Sequence, residues 1–341
     1  MAHLPKEERN VITFSKNFTI SLSNYCQNQC GYCFYNYKVP KINTDENIVL
    51  IDNEEIEALV YKGIQKNCKE ALIMSGERPD IFQEVRSELY KRDCEDFIQF
   101  VIDVCSYLLE FNILPHSNLG LLTYDELKQL KEYNASMGLM LESTSMDLFK
   151  KGGVHEFSPG KVPEKRIRHI KDAGRLKIPF TTGLLLGIGE NMEDRLKDLY
   201  LIKDIHEQFG HIQEVIIQNF IYKDGIPYKP KKSLEIDDIL KTVGFARLIF
   251  QNEIAIQVPP NLIVGFEKEF IEMGIDDFGG ISPLTKDYIN PKKPWPQIDY
   301  LERICKQEGY ILKERLPIYD KFIKKSEFMS ENIKKRIDFI K

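Results

Sequence analysis

Short apolar runs alternate with longer amphipathic stretches along most of the chain, the pattern of strands and helices taken in turn around a parallel sheet. Strands are predicted at Phe18–Leu22, Ala71–Met74, Ile113–Pro115, Gly138–Leu141, Phe180–Leu186, Glu214–Gln218 and Ile254–Val258, with a weaker one near Ile275. Helices fall between them. Thr123 and Glu126 have the spacing of a capping box that opens a helix over Tyr124–Tyr133. Asp52 and Glu55 repeat that spacing before a helix running towards Asn67. Pro163 suits the first turn of a helix over Glu164–Ala173, which Gly174 can end. Eight strand candidates predict an α/β fold, a TIM-type (βα)8 barrel, with an open (βα)6 barrel plus C-terminal extension as the alternative. The whole of 1–341 reads as one domain, its core at about 12–260 and the rest completing the barrel. The proline-rich stretch Tyr288–Pro296 leads into the last helices.

Composition narrows the function. The chain has 341 residues, 43% hydrophobic and 29% charged, an ordinary globular balance. Its net charge of −5 argues against a nucleic-acid-binding surface, which needs a basic excess. The basic tail (Lys324, Lys325, Lys334, Lys335, Arg336) is interrupted by Glu327, Glu331 and Asp338 and reads as a solvated helix face. No apolar run approaches a membrane span. The start, MAHLPKEERN, lacks the apolar core of a secretory leader, so a cytoplasmic protein is expected. Seven cysteines, an odd number without a leader, do not suggest a disulfide framework.

The strongest chemical signal is Cys26-Gln-Asn-Gln-Cys30-Gly-Tyr32-Cys33, three thiols on one tight loop directly after a predicted strand. Soft thiolates select zinc, copper or iron–sulfur clusters. Structural zinc and electron-transfer clusters both want four protein ligands, and no second Cys or His pair lies nearby. Three thiolates without a fourth point to a 4Fe-4S cluster with one iron left open. The alternatives are three chance cysteines or a zinc site completed by a distant residue such as His116. Cys68, Cys94, Cys105 and Cys305 are read as small buried hydrophobes in helical segments.

With this loop the chain resembles the radical S-adenosylmethionine (SAM) superfamily, whose motif is Cys-x3-Cys-x-aromatic-Cys, with Tyr32 as the aromatic. The resemblance implies a radical SAM barrel in which Cys26, Cys30 and Cys33 hold the cluster and the backbone at Tyr32 contacts the SAM adenine. Ser75-Gly76-Glu77 resembles the Gly-Gly-Glu segment that meets the SAM amino group, with Ser75 in place of the first glycine. Glu142 corresponds to a carboxylate that binds the ribose hydroxyls. Arg166 corresponds to an arginine paired with the SAM carboxylate, although Lys165 and Arg168 lie beside it. Gly187 and Glu190 fall in a segment similar to the one that packs against adenine. Dinucleotide binding is excluded there, because the third glycine of Gly-x-Gly-x-x-Gly would fall at Met192.

Further segments resemble, within the superfamily, the 7,8-didemethyl-8-hydroxy-5-deazariboflavin synthase subunit. They include Ser75–Pro79, Pro115–Gly120, Ala135–Glu142, Ile178–Gly183, Gln218–Phe220, Phe278–Pro283, Asn290-Pro291 and Pro294–Pro296. Tyr222-Lys-Asp-Gly225 departs from that pattern. The resemblance implies an ammonia-releasing lyase of deazaflavin (coenzyme F-420) biosynthesis that closes the ring of a 4-hydroxybenzyl ribityl-aminouracil adduct. It further implies a partner subunit that makes the adduct and an external one-electron reductant. His116, Asn118, Asn219, Asn261, Asp276 and Asp277 complete a set of polar strand-end residues for the substrate, each equally open to a reading as a cap or turn. The runner-up functions are the adduct-forming partner, a biotin-synthase-like or hydrogenase-maturation-like relative, and a non-enzymatic iron–sulfur or zinc protein.

Overall fold

The computed structural model describes residues 10–39, 47–230 and 233–340; most of the charged N-terminal stretch read above as no leader lies outside them. Among these residues the strands are β1 (Val11–Ser23), β2 (Glu70–Ser75), β3 (Leu114–Asn118), β4 (Ser136–Gly138), β5 (Phe180–Leu186), β6 (Ile212–Asn219), β7 (Ala255–Gln257), β8 (Asp277–Ile281) and β9 (Ile311–Glu314). The first eight run parallel in chain order, and β1 pairs with both β2 and β8, so the barrel is closed. The open alternative is thereby excluded. The ninth strand, exposed and charged, adds to the first residues of β1 outside the barrel proper and left no apolar signal in the sequence.

The helices that wrap the barrel are α1 (Asn53–Gln65), α2 (Gln83–Lys91), α3 (Phe97–Glu110), α4 (Tyr124–Lys131), α5 (Pro163–Arg175), α6 (Met192–Phe209), α7 (Ile236–Phe250) and α8 (Glu267–Met273). Then come α9 (Ile298–Gln307), α10 (Asp320–Ile323) and α11 (Glu331–Ile340). The core lies between strands and helices. On β6, Val215 and Ile217 are buried towards the helices, while Glu214, Ile216 and Gln218 line the interior, the two-residue period of a barrel strand. Among the described residues no helix is long and apolar enough to cross a membrane.

Four local expectations need correction. The Asp52 side chain makes no cap bond to α1; it accepts instead from Arg92 Nη2 at 3.2 Å. Gly174 lies inside α5, where a β-carbon would press on Phe209 and His211, so it serves close packing rather than termination. Cys68 and Cys94 lie in loops, not helices, and only Cys105 and Cys305 are helical. The eighth strand begins at Asp277, later than the Ile275 signal, which moves Asp276 and Asp277 to its N-terminal end.

The C-terminal part divides between the two ends of the barrel. Tyr288, Ile289 and Trp295 reach over the carboxyl-end mouth, whereas Arg315 and Pro317 close the opposite end. Ile318, Phe322, Phe328, Ile333 and Ile337 then form a satellite core with Leu109, Leu114 and Ala135.

Candidate functional site

The three-cysteine loop leaves the carboxyl end of β1, where barrel enzymes gather their chemistry. Its backbone is tied on two sides. Gln27 N donates to Glu77 O (2.9 Å), Gln29 N to Phe157 O (3.0 Å) and Gly31 N to Val154 O (2.8 Å). Gly76 must be glycine because a β-carbon would collide with the Tyr25 carbonyl and Cys26. All seven cysteines are reduced.

Cys26 Sγ accepts hydrogen bonds from Asn28 N (3.4 Å) and Glu77 N (3.2 Å), and Cys30 Sγ accepts from Ser158 Oγ (3.3 Å). Burial pushes the Cys26 thiol up to about 11 and Cys30 higher still, the latter partly offset by the Lys161 ammonium. A thiol so desolvated ionises when a metal takes the place of its proton. No three His, Cys, Asp or Glu side chains among the described residues stand at the spacing of a single metal ion. His116 lines the barrel cavity, whose wall includes none of the three cysteines. Ser136 Oγ donates to Pro317 O (2.7 Å), so it accepts from His116 Nδ1–H (2.6 Å) and leaves Nε2 as the acceptor. Three soft sulfur donors on one loop suit an iron–sulfur cluster.

Beside the loop lies a buried charged group. Glu142 sits at φ +67°, a strained conformation for a non-glycine residue, and such strain concentrates at functional sites. Neighbouring bonds enforce it: Glu142 N to Gly183 O (2.9 Å), Leu185 N to Glu142 O (3.1 Å), and Thr144 N to the buried Asp198 carboxylate (3.1 Å). The Glu142 carboxylate accepts from Lys161 Nζ and the Tyr32 hydroxyl, with His155 Nε2 at 3.3 Å. Burial would raise its pKa, but Lys161, His155 and Arg166 hold it well below the usual carboxylate range.

Arg166, 3% exposed, lies between Glu77 (3.7 Å) and Glu142 (3.8 Å) and donates to Met140 O (2.7 Å) and Gly160 O (3.1 Å). Its neighbours Lys165 and Arg168 are exposed. Glu77 is fully engaged: Oε1 accepts from Gln27 Nε2 (2.7 Å) and Asn28 Nδ2 (2.9 Å), and Oε2 from Leu121 N (3.0 Å). Ser75 Oγ donates to the Gly76 carbonyl (2.8 Å). Glu190 folds back on its own turn, accepting from Gly187 N (2.7 Å) and Ile188 N (2.8 Å) while pairing with Arg195 (2.7 Å).

A cavity of about 200 Å³ runs down the barrel beside this group. Strand register sorts its lining into layers. Asn17, Glu70 and Glu214 lie towards the N-terminal ends, and Thr19, Leu72, His116, Ile216 and Gln257 lie above them. Met74, Asn118 and Gln218 come next, under Asp287, Tyr288 and Trp295.

Of the residues read as substrate contacts, His116 and Asn118 line this cavity. Asn219 does not; its Nδ2 donates to Leu262 O (3.3 Å). Asn261 Nδ2 is spent on Asp287 Oδ2 (2.9 Å) and Lys293 O (3.2 Å), pinning the mouth loop. Asp276 pairs with Arg247, and Asp277 with Arg315 (2.5 Å) and Thr13, at the end opposite the cysteines. Because β8 begins at Asp277, two residues beyond the Ile275 signal, neither lies at the mouth.

Sequence reasoning missed Lys161, His155 and Ser158, which sit singly on the irregular 145–161 segment, and Gln218 and Gln257 at strand ends. It also missed Lys223, buried with its ammonium 5.4 Å from the Phe220 ring and pushed down to about 8 by desolvation.

A family model, the radical SAM superfamily, matches residues 20–202. The 7,8-didemethyl-8-hydroxy-5-deazariboflavin synthase of Methanococcus vannielii is 47% identical over 327 residues, covering 96% of this chain and 90% of that protein. The synthase of Methanocaldococcus jannaschii is 44% identical over 331 residues, 97% of this chain and 89% of that one. Among solved structures, the FeFe-hydrogenase maturase HydG from Carboxydothermus hydrogenoformans superposes with a TM-score of 0.70 at 18% identity, covering 95% of this chain and 72% of that chain. Methylornithine synthase (PylB) gives 0.66 at 18% identity, covering 89% and 84%. At that identity the two structures speak for the fold alone.

Proposed function

Because the chain belongs to the radical SAM superfamily and, within it, to the 7,8-didemethyl-8-hydroxy-5-deazariboflavin synthases, we propose that it closes the deazaflavin ring with release of ammonia. The substrate is 5-amino-5-(4-hydroxybenzyl)-6-(D-ribitylimino)-5,6-dihydrouracil. The observation that carries this reading is the placement of the three-cysteine loop and the Glu142 group beside an interior cavity rich in uncharged polar side chains.

Cys26, Cys30 and Cys33 are the three protein ligands of a 4Fe-4S cluster, with one iron left for SAM. When bound, cluster and SAM supply a 5′-deoxyadenosyl radical that abstracts hydrogen. Glu142 receives the ribose hydroxyls. Arg166, with Lys161 beside it, supplies positive charge for the SAM carboxylate. The Ser75–Glu77 backbone meets the amino group, and the Tyr32 backbone and the Gly187–Glu190 turn meet adenine. Ring closure with loss of ammonia is a two-electron oxidation: one hydrogen atom would go to the 5′-deoxyadenosyl radical, the second electron would return to the oxidised cluster, and a proton would be released to solvent.

The protein's own task is orientation and exclusion of water. His116 and Asn118 contact the adduct, and Trp295 and Tyr288 roof it. Asn219 and Asn261 act indirectly by fixing the mouth loops. The adduct comes from a partner subunit and the electron from an external carrier, in a cytoplasmic setting that keeps the thiols reduced. The test is an anaerobic assay with SAM, a one-electron reductant and the adduct. Deazaflavin fluorescence with 5′-deoxyadenosine is expected; SAM cleavage that never yields the fluorophore would overturn the reading.

A further inference from the structure

Three amides face the barrel cavity without a protein partner. Asn118, Gln218 and Gln257 line it, and among the described residues none of their side chains hydrogen-bonds another protein group. Gln257 is only 8% exposed. Their amides open onto the cavity, where a ligand that takes the place of solvent can complete them.

The fold makes room for these groups. Gly279, at φ +76°, is where a β-carbon would collide with the Gln257 amide, and a β-carbon on Gly280 would collide with Asn17. The paired glycines weaken β8 as a strand. Their gain is clearance for two amides that point inward from neighbouring strands. Asn17 then donates to Glu70 Oε1 (3.3 Å), whereas Gln257 is left open. Gln218 stands one interior layer closer to the mouth, because Gln257 is in register with Ile216.

We propose that Gln257, together with Gln218 and Asn118, reads the ribityl-uracil half of the substrate. A primary amide offers a donor and an acceptor side by side, which match the adjacent C=O and N–H groups of a pyrimidine-dione edge and the hydroxyls of a polyol. The three amides carry no charge, as an uncharged ligand requires. Asp287, the carboxylate nearest them at the mouth, is occupied by Ile289 N (2.8 Å), Asn290 N (2.9 Å), Asn290 Nδ2 (3.0 Å) and Asn261. This assignment rests on the function proposed above and adds which residues select the substrate.

The experiment is calorimetric titration of the reconstituted, SAM-loaded protein with the ribityl-aminouracil alone, for the wild type, Gln257→Leu and Gln218→Leu. The probe should bind the wild type, and each variant should bind it about tenfold or more weakly. SAM affinity and melting temperature should stay at wild-type values. Should Gln257→Leu fail to fold, Gln218→Leu carries the test, since Gln218 is only half-buried where it lines the cavity. Equal probe binding by folded variants and wild type overturns the assignment alone. No binding by the wild type overturns the assignment together with the substrate reading on which it rests.

Discussion

The two ends of the barrel interior are both polar, and they treat polarity in opposite ways. At the N-terminal floor every charge has an answer. Arg315 donates to Asp277 (2.5 and 2.9 Å) and Glu214 (3.0 Å), Tyr319 OH donates to Glu214 (2.8 Å), and Thr181 fills the other Glu214 oxygen (2.8 Å). Glu70 accepts from Ser15 and Asn17. Towards the mouth, the amides of Asn118 and Gln218, with Gln257 one layer below, have no such partners among the described residues. Buried polar groups that satisfy one another hold a structure together, and those left open await a ligand. Residue type alone does not separate the two: Asp277 and Asn118 are both short polar residues on strands, and only their partners tell them apart.

The floor should therefore fail through stability. Removing the guanidinium with Arg315→Ala leaves Asp277 and Glu214 as buried carboxylates without their cation, a loss of about 3–5 kcal/mol. Chemical denaturation should show it, with SAM affinity in the surviving folded protein unchanged. A small stability loss, or a selective loss of substrate binding, would break the contrast between the two ends. Next in size is Glu142→Gln at the SAM-binding side. Losing a charge-assisted interaction should weaken SAM binding by about 1.5–3 kcal/mol while the cluster's absorption spectrum persists. Unchanged SAM titrations would remove Glu142 from the site.

The sequence carried local signals well and distant ones poorly. The cysteine loop is a contiguous motif, and Phe180–Leu186 is a run of strand formers that the fold keeps intact. The capping box of Thr123 and Glu126 also forms as spaced. The same spacing at Asp52 does not, because a distant arginine, Arg92, captures the side chain. The eighth strand was blurred by its own glycines, poor strand formers that are there for the amides of other strands. Lys161 and His155 were illegible for a related reason. They reach Glu142 from an irregular segment, and nothing periodic marks them. Arg315, far along the chain, gave no hint that it would close a barrel begun at Val11.

Acid should act on the buried histidines of the barrel wall. His211 is fully buried just before β6, where its Nε2–H donates to Ile170 O (2.9 Å) and burial disfavours the charged ring. Burial lowers its pKa from 6.5 to about 3. Above 6.5 the ring is neutral folded and unfolded, and this group makes no pH-dependent contribution. Below 6.5 the unfolded chain takes up a proton that the folded chain refuses, so stability falls with pH until about 3. The slope is at most about 1.4 kcal/mol per pH unit for this one ring. His169, whose Nδ1 accepts from Leu122 N (3.1 Å) and whose pKa is lowered to about 4, adds a second contribution of the same sign. Comparing denaturation of wild type and His211→Asn from pH 7 to 5 isolates the first. Parallel pH profiles would show that His211 does not titrate in this window.

The smallest stability effect is expected where the contrast is sharpest. Asn118 ends β3 at the level of Met74 and lines the cavity, and among the described residues no protein group bonds its amide. Asn118→Ala removes an amide that bonds nothing in the folded chain, so stability should stay within about 0.5 kcal/mol of wild type. Relieving an unsatisfied group can even raise it slightly. The same truncation takes a donor and an acceptor from the wall that faces the ligand, so binding of the ribityl-aminouracil should weaken by about 1–3 kcal/mol. Asp277→Asn makes the mirror-image comparison: it weakens the Arg315 pair, lowers the melting temperature, and leaves probe affinity near wild type at temperatures where the protein is folded. The decisive measurement is the pair of ratios, stability against probe affinity, for the two variants side by side. If Asn118→Ala melted early and Asp277→Asn lost the probe, the floor and the mouth would have exchanged roles.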